Sequence, residues 1–191
     1  DRDQRRFLLA YFLYEDGVNT VIVFSSIFAS TTLGFTAQQL IGLYLVVQVT
    51  ALAGAFLMAR PIDFWGPKKV VSLSLVLWMF VTIAAYFVYH RSLFFVVASM
   101  AGLGLGTVQA ATRAFFAQFI PPGDESKYFG VYSLVGKTSA VVGPLIFGTV
   151  SSMTKSQRPA VAAISVLFIT GCVILQTVRG GKANVEKTGD G

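Results

Sequence analysis

The stretch FLLAYFLYEDGVNTVIVFSSIF, residues 7–28, decides the fold of this chain because it is long and apolar enough to cross a bilayer. A transmembrane helix needs about 20 predominantly apolar residues, since each residue advances ~1.5 Å through a hydrocarbon core ~30 Å thick. Three polar residues, Glu15, Asp16 and Asn19, nevertheless stand in the middle of the stretch. The sequence therefore predicts a membrane-spanning helix with ionisable groups at mid-depth.

The two carboxylates indicate that this helix faces something other than lipid. Asp16 lies about nine residues, or roughly 14 Å, beyond Phe7. An ionised carboxylate at that depth costs at least about 2.5–3.5 kcal/mol on membrane-insertion scales, so it is kept only where the protein uses it. We interpret Glu15, Asp16 and Asn19 as facing a lined cavity. In the alternative interpretation the carboxylates mark the end of the span and the helix begins after them.

The composition of the 191 residues is that of an integral membrane protein, with 54% hydrophobic residues, 13% charged residues and a mean hydropathy of +0.68. Six apolar runs are separated by polar residues, Gly and Pro. They predict an all-α polytopic membrane protein, and residues 1–178 are expected to form one unit of six transmembrane helices. Residues 179–191 are expected to be a disordered cytoplasmic tail. The predicted spans are approximately 7–33, 40–59, 70–89, 93–120, 129–150 and 159–178.

The net charge of +6 indicates membrane topology rather than a nucleic-acid partner. Most of the 15 Lys and Arg residues fall on one side of the predicted bilayer. The other side carries only Arg91, Lys155 and Arg158. The positive-inside rule therefore predicts that both termini are cytoplasmic. The rule leaves open whether the bilayer is a plasma or inner membrane or a vacuolar membrane.

The sequence predicts no metal and no cofactor. Cys172 is the only cysteine and His90 the only histidine, so neither an internal disulfide nor a zinc cluster is expected. Beyond Glu15 and Asp16 the predicted spans lack the neighbouring carboxylates that a hard cation requires.

Polar side chains also stand inside three of the other predicted spans. Gln48 lies near the centre of the second span, and Gln109 and Arg113 share a helix face in the fourth. Lys137 lies about ten residues, roughly 15 Å, into the fifth. A hydrogen bond to a neighbouring helix stays open for Gln48, and snorkelling to the membrane surface stays open for Arg113. The candidate substrate-binding or proton-coupling residues are Glu15, Asp16, Asn19, Gln48, Gln109, Arg113 and Lys137.

Asp16 and Lys137 lie at a similar depth from the same side of the predicted membrane. Opposite charges at one depth in a small bundle are expected to pair, either directly or through a substrate. The pairing is a hypothesis, because a lysine at that depth can also lose its proton when it is desolvated.

Small residues mark two expected helix contacts. Gly102 and Gly106 have the four-residue spacing that lets two helices approach closely. A second stripe of small residues in the fifth span predicts a packing face, and Pro144 after Gly143 leaves a moving hinge open as the alternative. The packing and hinge candidates are Gly102, Gly106, Gly136, Gly143, Pro144 and Gly148.

The connection between the second and third spans reads ARPIDFWGPKK, residues 59–69. It resembles a degenerate copy of the signature loop of the major facilitator superfamily, which runs Gly, three residues, Asp, Arg, any residue, Gly, Arg and a further basic residue. Its aspartate, Asp63, is expected to cap the next helix and to pair with cations on a tight turn. The residues that keep the pattern are Asp63, Gly66, Lys68 and Lys69, and those that depart from it are Ala59, Phe64 and Pro67.

Two longer runs carry a more specific resemblance. Residues 7–22, FLLAYFLYEDGVNTVI, and residues 109–148, QAATRAFFAQFIPPGDESKYFGVYSLVGKTSAVVGPLIFG, are similar to the second half of one superfamily branch. That branch is the group of autophagy-linked vacuolar amino-acid effluxers and their bacterial relatives. The resemblance extends over residues 7–178. It implies that the six helices form one half of a twelve-helix fold, and that an N-terminal six-helix half is missing from this chain. The absent initiator Met agrees with that expectation.

The resemblance implies a secondary active transporter, a permease or effluxer that moves a small molecule such as an amino acid across a lipid bilayer. Alternating access between two six-helix halves is the implied mechanism. The residues alone leave a different class open, namely an oligomeric six-span channel or a membrane assembly or scaffold protein. A channel needs a filter or pore segment at membrane depth, and no re-entrant segment is visible. An enzyme is not predicted, because the serine and histidine of an intramembrane protease have no counterpart inside the spans. Substrate, direction and coupling ion are left open.

Overall fold

The computed structural model describes residues 2–179, which contain helices and no β-strand. Six stretches of these residues are helical, long and apolar enough to cross a membrane, and the fifth and sixth are each divided into two helices. The predicted all-α, six-span fold is therefore confirmed. From residue 180 onward the predicted tail lies outside the described residues. The helices are α1 Arg2–Thr31, α2 Ala37–Trp65, α3 Pro67–Tyr86, α4 Arg91–Ala117, α5 Glu125–Thr138, α6 Val142–Thr154, α7 Gln157–Ala163 and α8 Ser165–Gln176.

Helix α1 runs without a break through its acidic centre. Glu15 and Asp16 lie in the middle of the helix, so the alternative in which they end the span is wrong. α1 packs along α8 and also contacts α4, α5 and α6, which makes it the central element of one side of the bundle. A polar residue in the middle of α1 therefore faces other helices of the same chain.

Helices α2 and α4 form the closest pair in the bundle, and glycines make that contact possible. A Cβ atom on Gly102 would meet the Val47 carbonyl oxygen and the Thr50 hydroxyl of α2. A Cβ atom on Gly106 would meet the backbone of Ala51. Because backbone atoms of α2 occupy the space that a side chain would need, the two helices touch along these glycines.

Basic side chains satisfy the carbonyl groups at the ends of several helices. The Lys68 ammonium donates hydrogen bonds to the carbonyl oxygens of Gln176 and Val178, at 3.0 and 2.7 Å, at the end of α8. At the opposite end of the bundle Arg91 donates to the Leu33 and Gly34 carbonyl oxygens after α1, at 2.9 and 2.7 Å. These carbonyls have no partner within their own helices, and a cation there also complements the helix dipole.

Two further arginines donate hydrogen bonds to backbone carbonyl oxygens, and these bonds show which helix ends lie together. Arg6 donates to the Thr177 carbonyl oxygen at 3.4 Å, so the start of α1 lies beside the end of α8. Arg158 donates to the carbonyl oxygens of Tyr86 and Val88 after α3, at the opposite end. The N-terminal end of α1, the α2–α3 turn and the C-terminal end of α8 therefore share one end of the bundle.

The α2–α3 turn departs from the expected capping. Asp63 lies in the last turn of α2, and the residue that precedes α3 is Gly66, with no side-chain cap. The prediction that Asp63 caps the next helix is therefore wrong. Gly66 has a φ of +83°, a conformation that a side chain disfavours. Pro67 follows at the first helical position, where its missing N–H would have had no partner.

Candidate functional site

The fifth span is interrupted in the membrane-spanning region, and we call residues 139–141 the break. α5 ends at Thr138 and α6 begins at Val142. The first N–H groups of a helix lack acceptors within it, and at membrane depth water does not replace them. A second element of the protein therefore has to supply an acceptor.

Asp16 supplies that acceptor from the centre of α1. One oxygen of its carboxylate, Oδ2, accepts hydrogen bonds from the backbone N–H groups of Val142, at 2.7 Å, and Gly143, at 2.9 Å. The other oxygen, Oδ1, lies 3.4 Å from the Thr20 hydroxyl, which donates to it. Asp16 is 0% exposed. Its negative charge at the N-terminus of α6 is favoured by the helix dipole, so the carboxylate is held as a cap of that helix.

The small residues of the fifth span have different surroundings. A Cβ atom on Gly143 would meet the Thr20 hydroxyl, and one on Gly136 would meet the Tyr11 hydroxyl, so both glycines allow close contact with α1. Gly148 has open space around it. Pro144 lies in the first turn of α6, after the break, where a missing N–H costs little. The interruption is therefore bridged by Asp16 and does not require a kink at Pro144.

Asn19 holds the other side of the break. Its side-chain Nδ2 donates to the Ser139 hydroxyl at 3.2 Å. The Ser139 hydroxyl in turn donates to the Gly136 carbonyl oxygen, at 2.8 Å, near the end of α5. Two residues one turn apart on α1 thus hold the two sides of the break, Asp16 at the first residues of α6 and Asn19 at Ser139, directly after α5.

Lys137 does not pair with Asp16. No ion pair joins the two side chains in residues 2–179, and the Lys137 side chain is exposed. The backbone amides of α6 and the Thr20 hydroxyl surround the carboxylate instead. The structure therefore does not show the direct form of the pairing hypothesis.

Three other candidate residues line one open groove between α2 and α4, which we call the α2–α4 groove. Gln48, Gln109 and Arg113 are all exposed there, over a floor that includes Gly106. The cavity measures about 440 Å³. Within the described residues neither glutamine side chain makes a hydrogen bond. The structure thus brings Gln48, Gln109 and Arg113 together and places Asp16 and Asn19 elsewhere, at the break.

Glu15 lies beside this groove rather than beside its sequence neighbour Asp16. It is half-buried and close enough to Arg113 for their charges to interact. Tyr132 of α5 is close enough to both Glu15 and Arg113 to interact with them. Tyr132 also stacks on Tyr11, with ring centroids 4.4 Å apart. A carboxylate, a guanidinium and a phenol are therefore gathered at one edge of the groove.

Sequence reasoning missed Tyr132. Tyr132 is buried and connects α5 to α1 and α4, because it also stacks on Phe116 with a centroid distance of 5.1 Å. The only signal in the sequence was a hydroxyl-bearing ring five positions before Lys137. A tyrosine at a membrane interface gives the same signal.

A second cavity, of about 170 Å³, lies between α1, α2, α3 and α4 and is mostly apolar. Of the seven candidate substrate-binding residues, none lines it. Its walls include Phe24, Phe28 and Trp78. Its polar groups are a few hydroxyls, and no amide or charged side chain lines it, so it offers little with which to orient a charged molecule.

Comparison with known proteins places the chain among transport proteins. The family model described as "Vacuole effluxer Atg22 like" matches residues 2–188. The chain is 32% identical over 172 residues to the uncharacterized MFS-type transporter YxiO of Bacillus subtilis, a match that covers 90% of this chain and 40% of that protein. It is 27% identical over 199 residues to autophagy-related protein 22 of Candida glabrata, covering 97% of this chain and 37% of that protein.

These relatives are more than twice as long as the matched region. Autophagy-related protein 22 of Saccharomyces cerevisiae (strain S288c), 25% identical over 199 residues, is covered over 38% of its length. The chain corresponds to the C-terminal part of its relatives. No solved structure matches the chain. The names that the family and the Bacillus relative carry are those of membrane transporters, not of enzymes.

Proposed function

Because the chain belongs to the family of vacuole effluxers like Atg22, a family of membrane transporters, we propose that it forms one half of a secondary active transporter. The solute is a small molecule such as an amino acid, and transport proceeds by alternating access between this six-helix half and a second one. The observation that carries the proposal is the exposed polar surface of the α2–α4 groove, at a depth where lipid would exclude it.

Apolar side chains are exposed on α2 and α5 as well as on α3 and α8, but the helices differ in the amide and charged side chains exposed among them. α3 and α8 expose apolar side chains such as Val76, Phe80 and Val173, as a surface in contact with lipid should. α2, α4 and α5 expose Gln48, Gln109, Arg113 and Lys137. Polar and ionisable groups inside a bilayer normally face a bundle interior or a water-filled cavity. The face that carries these four residues therefore fits the wall of a transport cavity.

Two of the three spans at this face, the second and the fifth, are also the least buried of the six described spans. Only 11% and 17% of the apolar windows of the second and fifth spans are buried, compared with 50% for the first span. The curated relatives are long enough to contain a second set of six spans, since the chain covers only 37–40% of the two quoted first. A six-helix half on this face would enclose the α2–α4 groove, and substrate sites in transporters lie at such interfaces.

The residues at the groove suit a zwitterionic solute. Arg113 would bind a carboxylate, because a guanidinium offers paired donors to two oxygens. Glu15 would bind an ammonium group, or carry the coupled proton when no ammonium is present. Gln48 and Gln109 would add neutral hydrogen bonds. Lys137 would attract anionic groups at the exposed edge of α5, since it makes no ion pair in the described residues.

The proposed orientation has both termini in the cytoplasm. Its support is the positive-inside rule together with the grouping of the α1 start, the α2–α3 turn and the α8 end at one end of the bundle. α5 would then enter the membrane from the cytoplasmic side. The break would lie near the middle of the bilayer.

Transport by the complete gene product in proteoliposomes tests the proposal. Vesicles preloaded with a panel of labelled amino acids are followed with and without an imposed pH gradient. We expect gradient-dependent movement of at least one zwitterionic solute, and loss of that movement in Arg113→Ala. Arg60→Ala is the matched control, because Arg60 is exposed at the far end of α2 and lines no cavity described above.

The opposite results separate the alternatives. Equal transport by Arg113→Ala and the wild type would remove the α2–α4 groove from the proposal. A transport rate that does not depend on the pH gradient would remove proton coupling from the proposal. Unitary conductance steps in a planar bilayer would favour the six-span channel instead.

A further inference from the structure

The two helices that meet at the break are held by α1 in unequal ways. α6 is held by two hydrogen bonds to the buried, negatively charged Asp16, at 2.7 and 2.9 Å, and bonds of this kind are stronger than neutral ones. α6 also packs against α7. α5 is held near its end by one neutral bond, from Asn19 to Ser139 at 3.2 Å. Within α5 only Tyr132 is buried.

The remaining contacts of α5 with α1 in the described residues also involve no hydrogen bond to a charged group. Its main helical neighbour is α1, through the stacked Tyr11–Tyr132 pair and the close approach of Gly136 to the Tyr11 hydroxyl. Flat ring stacking and a single side-chain bond permit sliding more readily than a buried charged cap does. The weaker attachment therefore belongs to α5, the half-helix that carries Tyr132 and Lys137.

We infer that the break is a joint of the transport cycle, that Asp16 fixes the α6 side of it, and that Asn19 is the releasable contact on the α5 side. The inference rests on the proposed transport function. Asp16 and Asn19 are positioning residues here and do not touch the solute. When α5 swings about residues 139–141, Tyr132 moves relative to Glu15 and Arg113, and the edge of the α2–α4 groove opens or closes.

Asp16 is consequently not a solute ligand. The N-terminus of an interrupted helix is a site at which transporters bind anionic substrate groups. In this chain the carboxylate of Asp16 already occupies that position. A solute carboxylate must therefore be bound by another group, and Arg113 is the exposed cation of the groove.

Hydrogen–deuterium exchange on the complete protein in lipid nanodiscs tests the joint directly. In Asp16→Asn we expect the amides of Val142 and Gly143 to exchange about tenfold faster or more, because a bond to a charged group is lost. In Asn19→Ala the faster exchange should be confined to residues 136–140. Thr82→Ala is the control, because Thr82 is buried in α3 and, among the described residues, its hydroxyl bonds only to its own helix.

Transport measurements on the same variants complete the test. Both variants should lower the maximal rate while the KM stays within about twofold of the wild-type value, since neither residue binds the solute. If Asp16→Asn does not fold, Thr20→Val replaces it, because it removes only the 3.4 Å bond to the carboxylate and should raise exchange at residues 142–143 by a smaller factor.

The outcomes distinguish the joint from the transport function. Unchanged exchange at Val142 and Gly143 in Asp16→Asn, or a KM that rises with an unchanged maximal rate, would overturn the inference and leave transport standing. A wild-type protein that moves no solute would overturn the proposed function. The exchange data would in that case still decide whether Asp16 and Asn19 hold the two sides of the break.

Discussion

The break and the α2–α4 groove both contain polar side chains of the membrane spans. Among the described residues these side chains are hydrogen-bonded at the break, whereas the glutamines of the groove are not. At the break Asp16 has three hydrogen-bond donors around its carboxylate and no exposed surface. In the groove Gln48 and Gln109 are exposed and make no side-chain hydrogen bond to any described residue. The described part of the chain therefore supplies hydrogen-bond partners for Asp16 at the break but not for the two glutamines in the groove.

This difference distinguishes polar residues that stabilise the fold from polar residues that remain available to bind a solute. Burying a polar group is costly unless it is hydrogen-bonded, so a fully bonded carboxylate such as Asp16 contributes to holding the fold. An unbonded amide such as Gln48 or Gln109 contributes little to the isolated half and remains available to a solute, to water or to a second half. Substitutions in the two regions should therefore affect different measurements.

The largest effect is expected at the break. Asp16→Ala leaves the N–H groups of Val142 and Gly143 unpaired at membrane depth, and should lower the free energy of unfolding by about 2–4 kcal/mol. Thermal or denaturant unfolding of the detergent-solubilised protein measures the loss. Glu15→Ala is the matched control, because it removes the adjacent, half-buried carboxylate, to which no backbone amide of residues 2–179 donates a hydrogen bond. Equal destabilisation by the two variants would contradict the comparison.

In the groove we expect the reverse, a loss of transport with little loss of stability. Arg113→Ala should lower kcat/KM for an anionic or zwitterionic solute about a hundredfold, since a lost charge-paired contact costs a few kcal/mol. Its unfolding midpoint should stay near the wild-type value, because Arg113 is exposed. Arg113→Lys keeps the charge but loses the paired donors, and should recover only part of the rate. A large loss of stability without loss of transport would show that Arg113 stabilises the fold and does not bind the solute.

The sequence was sufficient to predict the six spans, because each is an apolar run of membrane-crossing length between polar segments. It also indicated which polar residues lie inside the spans. What it did not indicate was the partner of each. Asp16 and Lys137 have matching depths and opposite signs, which predicted a pair, whereas the carboxylate is bonded to backbone amides that every residue except proline carries.

The break explains why that partner was missed. A helix interruption at residues 139–141 frees backbone N–H groups that an unbroken span would satisfy internally. The polar residues beside the break, Lys137, Thr138 and Ser139, are too few to end a span, so the run from 129 to 150 was predicted as one helix. The Gly143-Pro144 pair was the visible signal and suggested a kink, but Pro144 lies within the first turn of α6. Recognising the cap required the positions of two segments more than 120 residues apart.

A third prediction examines Gly106, the glycine in the floor of the groove. Gly106→Ala should destabilise the protein by about 1–3 kcal/mol, because the added methyl group meets the backbone of Ala51, which has no rotamer to change. Since Gly106 forms part of the groove floor, transport should fall as well. Gly148→Ala is the control and should be neutral or stabilising, because its surroundings are open and alanine favours a helix. Tolerance of alanine at Gly106 would mean that α2 and α4 lie farther apart than described.

The smallest effect is expected at the helix ends. Lys68→Ala removes the donor to the Gln176 and Val178 carbonyl oxygens and should lower the free energy of unfolding by about 0.5–1 kcal/mol. Lys69→Ala should have no measurable effect, because Lys69 is exposed and makes no hydrogen bond to a described residue. Both lysines belong to the loop that resembles the superfamily signature, so unfolding and transport are measured together. A loss of stability alone in Lys68→Ala would show that this lysine serves the fold, as Asp16 does. A loss of transport without loss of stability would instead place it with the groove residues, and the division between structural and functional polar groups would then not follow hydrogen bonding.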